Sequence, residues 1–234
     1  MRLSATAVFA LGLALLPLGA HAASPLDLDT IAPDQPPEQL CDRLAADPFS
    51  GFGPDEWAHP FARIDFYRAA PACKEAMALH PDEPRFALQA GLAAIAGDKK
   101  DEAKTLLAPF AAEGNATALL ALAFISPDQE AADLMRKAAD KGSAPAMLLF
   151  GMAELYGKGI PKDQIDGVRM IRRAADGGST RAMLIMANFY NNGDYGVGRN
   201  PEQGRTLIEG AAKLGDPAAQ NILASLDEGA SEPK

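Results

Sequence analysis

Three stretches of this chain repeat one pattern at nearly constant spacing, and that echo limits the fold more than any other feature. Ala138-Ala139-Asp140-Lys141-Gly142-Ser143, Ala174-Ala175-Asp176-Gly177-Gly178-Ser179 and Ala211-Ala212-Lys213-Leu214-Gly215-Asp216 share the form Ala-Ala-x-x-Gly-polar. Gly142 and Gly178 are 36 residues apart, and Gly178 and Gly215 are 37 apart. A fixed period of roughly 20–50 residues marks an array of supersecondary units. The pattern also has a physical reading. Paired alanines add little width, so two helices can cross closely. A glycine just past a helix takes the left-handed conformation without a Cβ penalty. The polar residue after it starts the next helix. One helical hairpin cannot bury its apolar stripe alone, whereas stacked hairpins bury it continuously. Such arrays present extended surfaces, which suits binding better than catalysis.

The helical reading extends on both sides of the echo. The chain is 48% apolar but only 6% aromatic, a composition that suits packed helices better than a β-sandwich. Apolar stripes and breakers predict a short helix over 37–46, a loop over 47–60, a turn or short helix over 64–69 and a helix from Pro71 through Leu79. Helical pairs then follow from residue 82: 84–96 with 101–112, and 117–125 with a helix started by Ser126-Pro127. The next pairs are 146–156 with 164–175, and 182–190 with 202–212. A last helix over 217–226 caps the array. Residues 229–234 form a polar tail that frays.

The first residues read as a targeting segment. Arg2 precedes the apolar run Ala7–Leu16, and Ala20-His21-Ala22 is a small-x-small cleavage site. We therefore expect a signal peptide over 1–22, export to the periplasm or beyond, and a flexible Pro-rich leader over 23–36. The formal charge of −9 disfavours nucleic acid and anionic lipid as partners. Cys41 and Cys73 are the two cysteines. In an oxidising compartment they are expected to pair, closing a loop of 32 residues and stapling the helical segment 37–81.

Segment 146–181 resembles a Sel1-like repeat, a relative of the tetratricopeptide repeat. The resemblance rests on Ala146, Phe150-Gly151, Gly157-Lys158-Gly159-Ile160, Asp163, Ala174-Ala175 and Gly178. Glu154 departs from it, because that family usually has Tyr there. Segment 182–218 follows with Ala182, Tyr190, Gly193, Gly196-Val197, Asn200, Ala211-Ala212 and Gly215, and carries one extra loop residue at Asp194-Tyr195. Segment 118–145 keeps Ala118, Leu122, Ala138-Ala139 and Gly142 but lacks the Gly-rich loop. Residues 82–114 look closer to a tetratricopeptide hairpin. The block from Cys41-Asp42-Arg43-Leu44 to Pro81-Asp82-Glu83-Pro84 resembles a segment preceding such repeats in exported bacterial proteins. The resemblance implies an all-α, right-handed solenoid over 82–228, led by the disulfide-stapled segment.

No constellation of catalytic residues accompanies this architecture. His59 and His80 lack metal-ligand spacing. Lys158 lies in a Gly-Lys-Gly that joins two helices, not in a phosphate loop. Ser50 lacks the glycine two positions earlier that a nucleophile elbow needs. We expect no catalytic residue, no metal and no cofactor.

The resemblance implies that the first helix of each pair lines the concave side. Positions two, six, nine and ten after the leading Ala then point inward. That assigns Leu148, Met152, Leu155 and Tyr156 in one repeat and Leu184, Asn188, Asn191 and Asn192 in the next, with Leu120 and Phe124 before them. Leu120, Leu148 and Leu184 read as packing residues. Phe124, Met152, Leu155, Tyr156, Asn188, Asn191 and Asn192 are the candidate partner-binding groove, an apolar strip beside amides that can bond a peptide backbone. The expected function is a non-catalytic adaptor for a protein or peptide of the cell envelope, one version being a regulator of a sensor kinase. The alternative is a protein that binds or hydrolyses cell-wall compounds such as muropeptides or β-lactams.

Overall fold

The computed structural model describes residues 35–49 and 59–231. The expected signal peptide, nearly all of the leader, and Ser50 lie outside the described residues. From Asp34 onward the chain forms one compact unit. Its elements are α1 (Pro37–Leu44), a 3₁₀ turn (Pro60–Arg63), α2 (Phe66–Leu79), α3 (Pro84–Ala96), α4 (Lys100–Ala112), α5 (Ala116–Ile125), α6 (Asp128–Asp140), α7 (Ala144–Tyr156), α8 (Gln164–Asp176), α9 (Thr180–Asn192), a 3₁₀ turn (Asp194–Gly196), α10 (Pro201–Lys213) and α11 (Pro217–Ser231). The described residues contain no strand.

The repeated turn works as its residue types require. Gly142, Gly178 and Gly215 have φ of 90°, 89° and 89°. Each lets the next amide turn back onto the helix just ended. Ser143 N donates to Ala138 O at 3.3 Å, Ser179 N to Ala174 O at 3.0 Å, and Asp216 N to Ala211 O at 3.1 Å. These are the six-to-one bonds of a Schellman closure. The same three polar side chains then cap the following helix. Ser143 Oγ accepts from Ala146 N at 3.3 Å, Ser179 Oγ from Ala182 N at 3.2 Å, and Asp216 Oδ1 from Ala219 N at 3.0 Å. A fourth copy of the turn spans Phe110 to Asn115. There Asn115 N donates to Phe110 O at 2.9 Å and Asn115 Oδ1 accepts from Ala118 N at 3.0 Å.

Packing follows chain order. Each helix lies mainly against its sequence neighbours, and contacts that skip one helix join α1 to α3 and α3 to α5. Helices α1, α3 and α5, which open the first three hairpins, therefore gather on one side. The motif alanines lie inside: Ala138, Ala174 and Ala211 are each 0% exposed. At the α7–α8 crossing, Gly151 and Gly167 face one another so closely that a Cβ on either would meet the other's carbonyl oxygen.

The N-terminal hairpin is clamped to the array. Cys41 and Cys73 form the disulfide, with Cα atoms 4.7 Å apart, and join α1 to α2. Both are fully buried. Arg85, on α3, donates to the Asp42 carboxylate of α1 and to Glu83 at 2.7 Å. Gln89 Nε2 adds a bond to Asp42 Oδ1 at 3.0 Å.

Two element ends differ from the sequence reading by five residues. The helix carrying Cys73 starts at Phe66, not at Pro71. Asp65 supplies its cap, accepting from Arg68 N, and Pro71 sits inside it. Pro71 lacks the N–H that would bond Tyr67 C=O. Tyr67 is 87% exposed, so water can take that role. The last helix runs past Leu226 to Ser231. Among the described residues no helix is long and apolar enough to cross a membrane.

Candidate binding surface

The inner-side candidates sit on α5, α7 and α9 at equivalent places, and the structure sorts them into three groups. Met152, Tyr156, Asn188 and Asn192 form the open group. Met152 is half-buried, Tyr156 is 56% exposed, and Asn188 and Asn192 are exposed. Residues four apart on a helix share a face, which places Met152 with Tyr156 and Asn188 with Asn192. The two amides are linked, since Asn192 Nδ2 donates to Asn188 Oδ1 and to Asp194 Oδ2, both at 3.2 Å.

Leu155 and Asn191 form the second group, and both face their partner helix. Leu155 is fully buried against α8, where Gly167 packs on its backbone. Asn191 occupies the equivalent place on α9, with its side-chain oxygen against Gly204 of α10. Arg199 Nε donates to Asn191 O at 2.9 Å. Asn191 lines a cavity of about 310 Å³ with Arg199, Pro201, Arg205, Ile208 and Leu226. That cavity lies on the α10–α11 side. Arg205 at its rim pairs with Glu209 at 2.9 Å and Asp227 at 2.7 Å.

Phe124 stands alone as the third case. Its ring stacks on Phe49 at 5.7 Å and meets Phe61 edge-on at 5.8 Å. The chain's own N-terminal segment thus covers it.

Sequence reasoning passed over Tyr195. This residue stands in the 3₁₀ turn after α9 with φ of 52°, in the left-handed region. Its ring lies 4.8 Å from Phe189 and edge-on to Tyr156 at 6.5 Å. A hydrogen bond to the Tyr195 side chain, with burial added, holds the Tyr156 hydroxyl above its usual pKa. The signal was the extra loop residue at Asp194-Tyr195, which read as an insertion without a role.

Glu154, two residues before Tyr156, is a second group with a shifted pKa near this face. Its Oε2 is buried and has no hydrogen-bond partner. Desolvation, then the Asp166 and Asp163 charges, raise its pKa. Tyr190 fills the equivalent place in the next repeat, where a phenol carries no such cost.

The described residues hold no cluster of His, Cys, Asp and Glu able to bind a metal. What the face offers is apolar and aromatic surface beside side-chain amides.

Comparisons with known proteins agree with this geometry. The family model for the Sel1 repeat matches residues 125–143, 144–179 and 180–216. Its register starts each full repeat two residues before the leading alanines Ala146 and Ala182, and it does not match 82–114. A Sel1 repeat protein from Oxalobacter formigenes superposes with a TM-score of 0.56 at 20% identity, over 63% of each chain. The protective antigen c5321 of uropathogenic Escherichia coli, which has an SLR fold, superposes with a TM-score of 0.55 at 20% identity, over 74% of this chain and 40% of that one. The chain thus spans less than two thirds of either protein. No curated protein matches it. Residues 125–216 of this chain thus carry three stacked segments that match the Sel1 repeat.

Proposed function

We propose that this protein is a non-catalytic adaptor that holds a protein or peptide partner on the inner face of its repeats. Sel1 repeats commonly mediate contacts between proteins. The observation that carries the reading here is the group Met152 and Tyr156 on α7 with Asn188 and Asn192 on α9, at equivalent places in two successive repeats. Aromatic and thioether surface supplies contact area. Asn side chains both donate and accept, as an extended backbone requires.

The compartment in this proposal is the periplasm or the cell exterior. The disulfide supports it, because such bonds persist in oxidising compartments. A regulator of an envelope signalling or assembly system, seated on a sensor kinase domain, is the finer form. The test is affinity capture from envelope extract with the wild type and with a Tyr156→Ala, Asn192→Ala double variant, read by quantitative mass spectrometry. The reading expects one or more partners lost from the variant. Identical recovery from both proteins would remove the inner face from consideration.

A further inference from the structure

The inner face is already occupied at its N-terminal end, and the occupant shows what the rest of the face suits. After α1 the chain does not leave the array. Asp47 lies over the start of α5, where Thr117 Oγ1 donates to Asp47 Oδ2 at 3.3 Å. Phe49 N donates to Asp47 Oδ1 at 2.9 Å. Two residues after Asp47, the Phe49 ring stacks on Phe124 at 5.7 Å with 26° between planes. Thr117 and Phe124 are seven residues apart, two helical turns, and so share one face of α5. A non-helical Asp-Pro-Phe segment therefore runs along α5, with its carboxylate on a hydroxyl and its ring on a ring. Phe49 is 6% exposed, so the seat is well closed.

The same two positions are Pro145 and Met152 on α7 and Arg181 and Asn188 on α9, so a polar first member returns on α9 and an apolar second member on α7. Thr117 stands one residue before Ala118, as Arg181 stands one before Ala182. Phe124 stands six residues after Ala118, as Met152 does after Ala146 and Asn188 after Ala182. In the later repeats Tyr156 and Asn188 are exposed and Met152 is half-buried. The hydroxyl that meets a carboxylate on α5 becomes a guanidinium on α9. An arginine meets a carboxylate more strongly than a hydroxyl does.

We propose that the open inner face takes an extended partner segment with an acidic residue two positions before an aromatic one. The carboxylate pairs with Arg181. The ring seats against Met152 and Tyr156, and Asn188 and Asn192 bond the segment's backbone. Asp47-Pro48-Phe49 is the internal precedent for the motif, with both seats there on α5 and here shared between α7 and α9. This rests on the adaptor reading above and names the occupant.

The test is fluorescence anisotropy of a labelled peptide, Gly-Ala-Ala-Asp-Pro-Phe-Gly, titrated with the full chain. Control peptides replace its Asp or its Phe by Ala. The expected result is saturable binding that weakens about tenfold or more for either control peptide and for Arg181→Ala or Tyr156→Ala protein. Circular dichroism and melting curves confirm that both variants fold, as expected for surface positions. Binding that survives Arg181→Ala and Tyr156→Ala overturns the inference, and so does binding lost only on Phe124→Ala, which would mean displacement of the resident segment. No binding of any of the peptides also overturns it. In that case, loss of a captured partner from the Tyr156→Ala, Asn192→Ala variant would leave the adaptor reading standing with another occupant.

Discussion

Two glycines inside helices should respond to alanine with opposite signs. In a helix, alanine is favoured over glycine by roughly 0.5–1 kcal/mol, chiefly because glycine loses more backbone freedom on folding. That gain applies to Gly167 in α8 and to Gly210 in α10 alike. The surroundings differ. A Cβ at Gly167 would lie 2.7 Å from Gly151 O, 2.8 Å from Leu155 N and 3.0 Å from Leu155 Cα. All three are backbone atoms of α7, so no side chain can swing aside and the two helices must part. Overpacking of this kind costs about 1–3 kcal/mol, which leaves Gly167→Ala destabilised by up to roughly 2.5 kcal/mol after the propensity gain. A Cβ at Gly210 meets only Met183 Sδ, at 3.7 Å, an ordinary contact. Gly210→Ala should keep the whole gain. For a chain of this size 1 kcal/mol moves Tm by about 2–4 °C, so Gly167→Ala should melt up to about 10 °C lower and Gly210→Ala about 1–4 °C higher. Thermal unfolding followed by circular dichroism reads both. A Gly167→Ala protein that melts above the wild type would refute the close crossing of α7 and α8.

Three further outcomes follow from particular contacts. Reducing the Cys41–Cys73 bond, or replacing Cys73 by Ser, should cost roughly 3–4 kcal/mol on the chain-entropy estimate for its loop; a melting temperature unmoved by dithiothreitol would contradict the staple. Glu154→Gln should stabilise the protein at pH 7. The folded state favours the protonated acid, so the cost of the charge is full above the raised folded pKa and vanishes as pH falls below the ordinary carboxylate range. The advantage of Gln over Glu, measured by urea unfolding at pH 7 and pH 4, should therefore shrink at pH 4, and an advantage that grows there would reverse the sign argued from burial. Tyr195→Phe removes the hydroxyl partner of Tyr156, so ultraviolet titration should show one tyrosine fewer and a lower apparent pKa for Tyr156; an unchanged Tyr156 would place the loop after α9 away from α7.

Much of the fold was legible because its signals are local. Ala-Ala, Gly and a capping residue within six positions state where one helix ends and the next begins, and α3, α7, α8 and α9 fall within a few residues of that reading. The α2 boundary was less so. Pro71 reads as a first-turn proline, and only the cap at Asp65 shows that the helix has already begun. The candidate surface was legible to one position. Met152 and Leu155 differ by three residues, as do Asn188 and Asn191, and either member could face solvent. The glycines at 167 and 204 decide it, because a partner helix lies against Leu155 and Asn191 there. No local pattern announces that Phe49 and Phe61 cover Phe124. Those contacts join residues more than 60 positions apart, and stacking of distant rings leaves no periodic trace.

The most direct test of the proposed working surface is site-specific photo-crosslinking in cells that make the protein. A benzophenone side chain at Asn188 reports from the open inner face, and one at Arg172 reports from an exposed place on α8. The account predicts a discrete higher-mass adduct from position 188 and none from position 172. Adducts from position 172 alone would put the partner on the outer helices and contradict it.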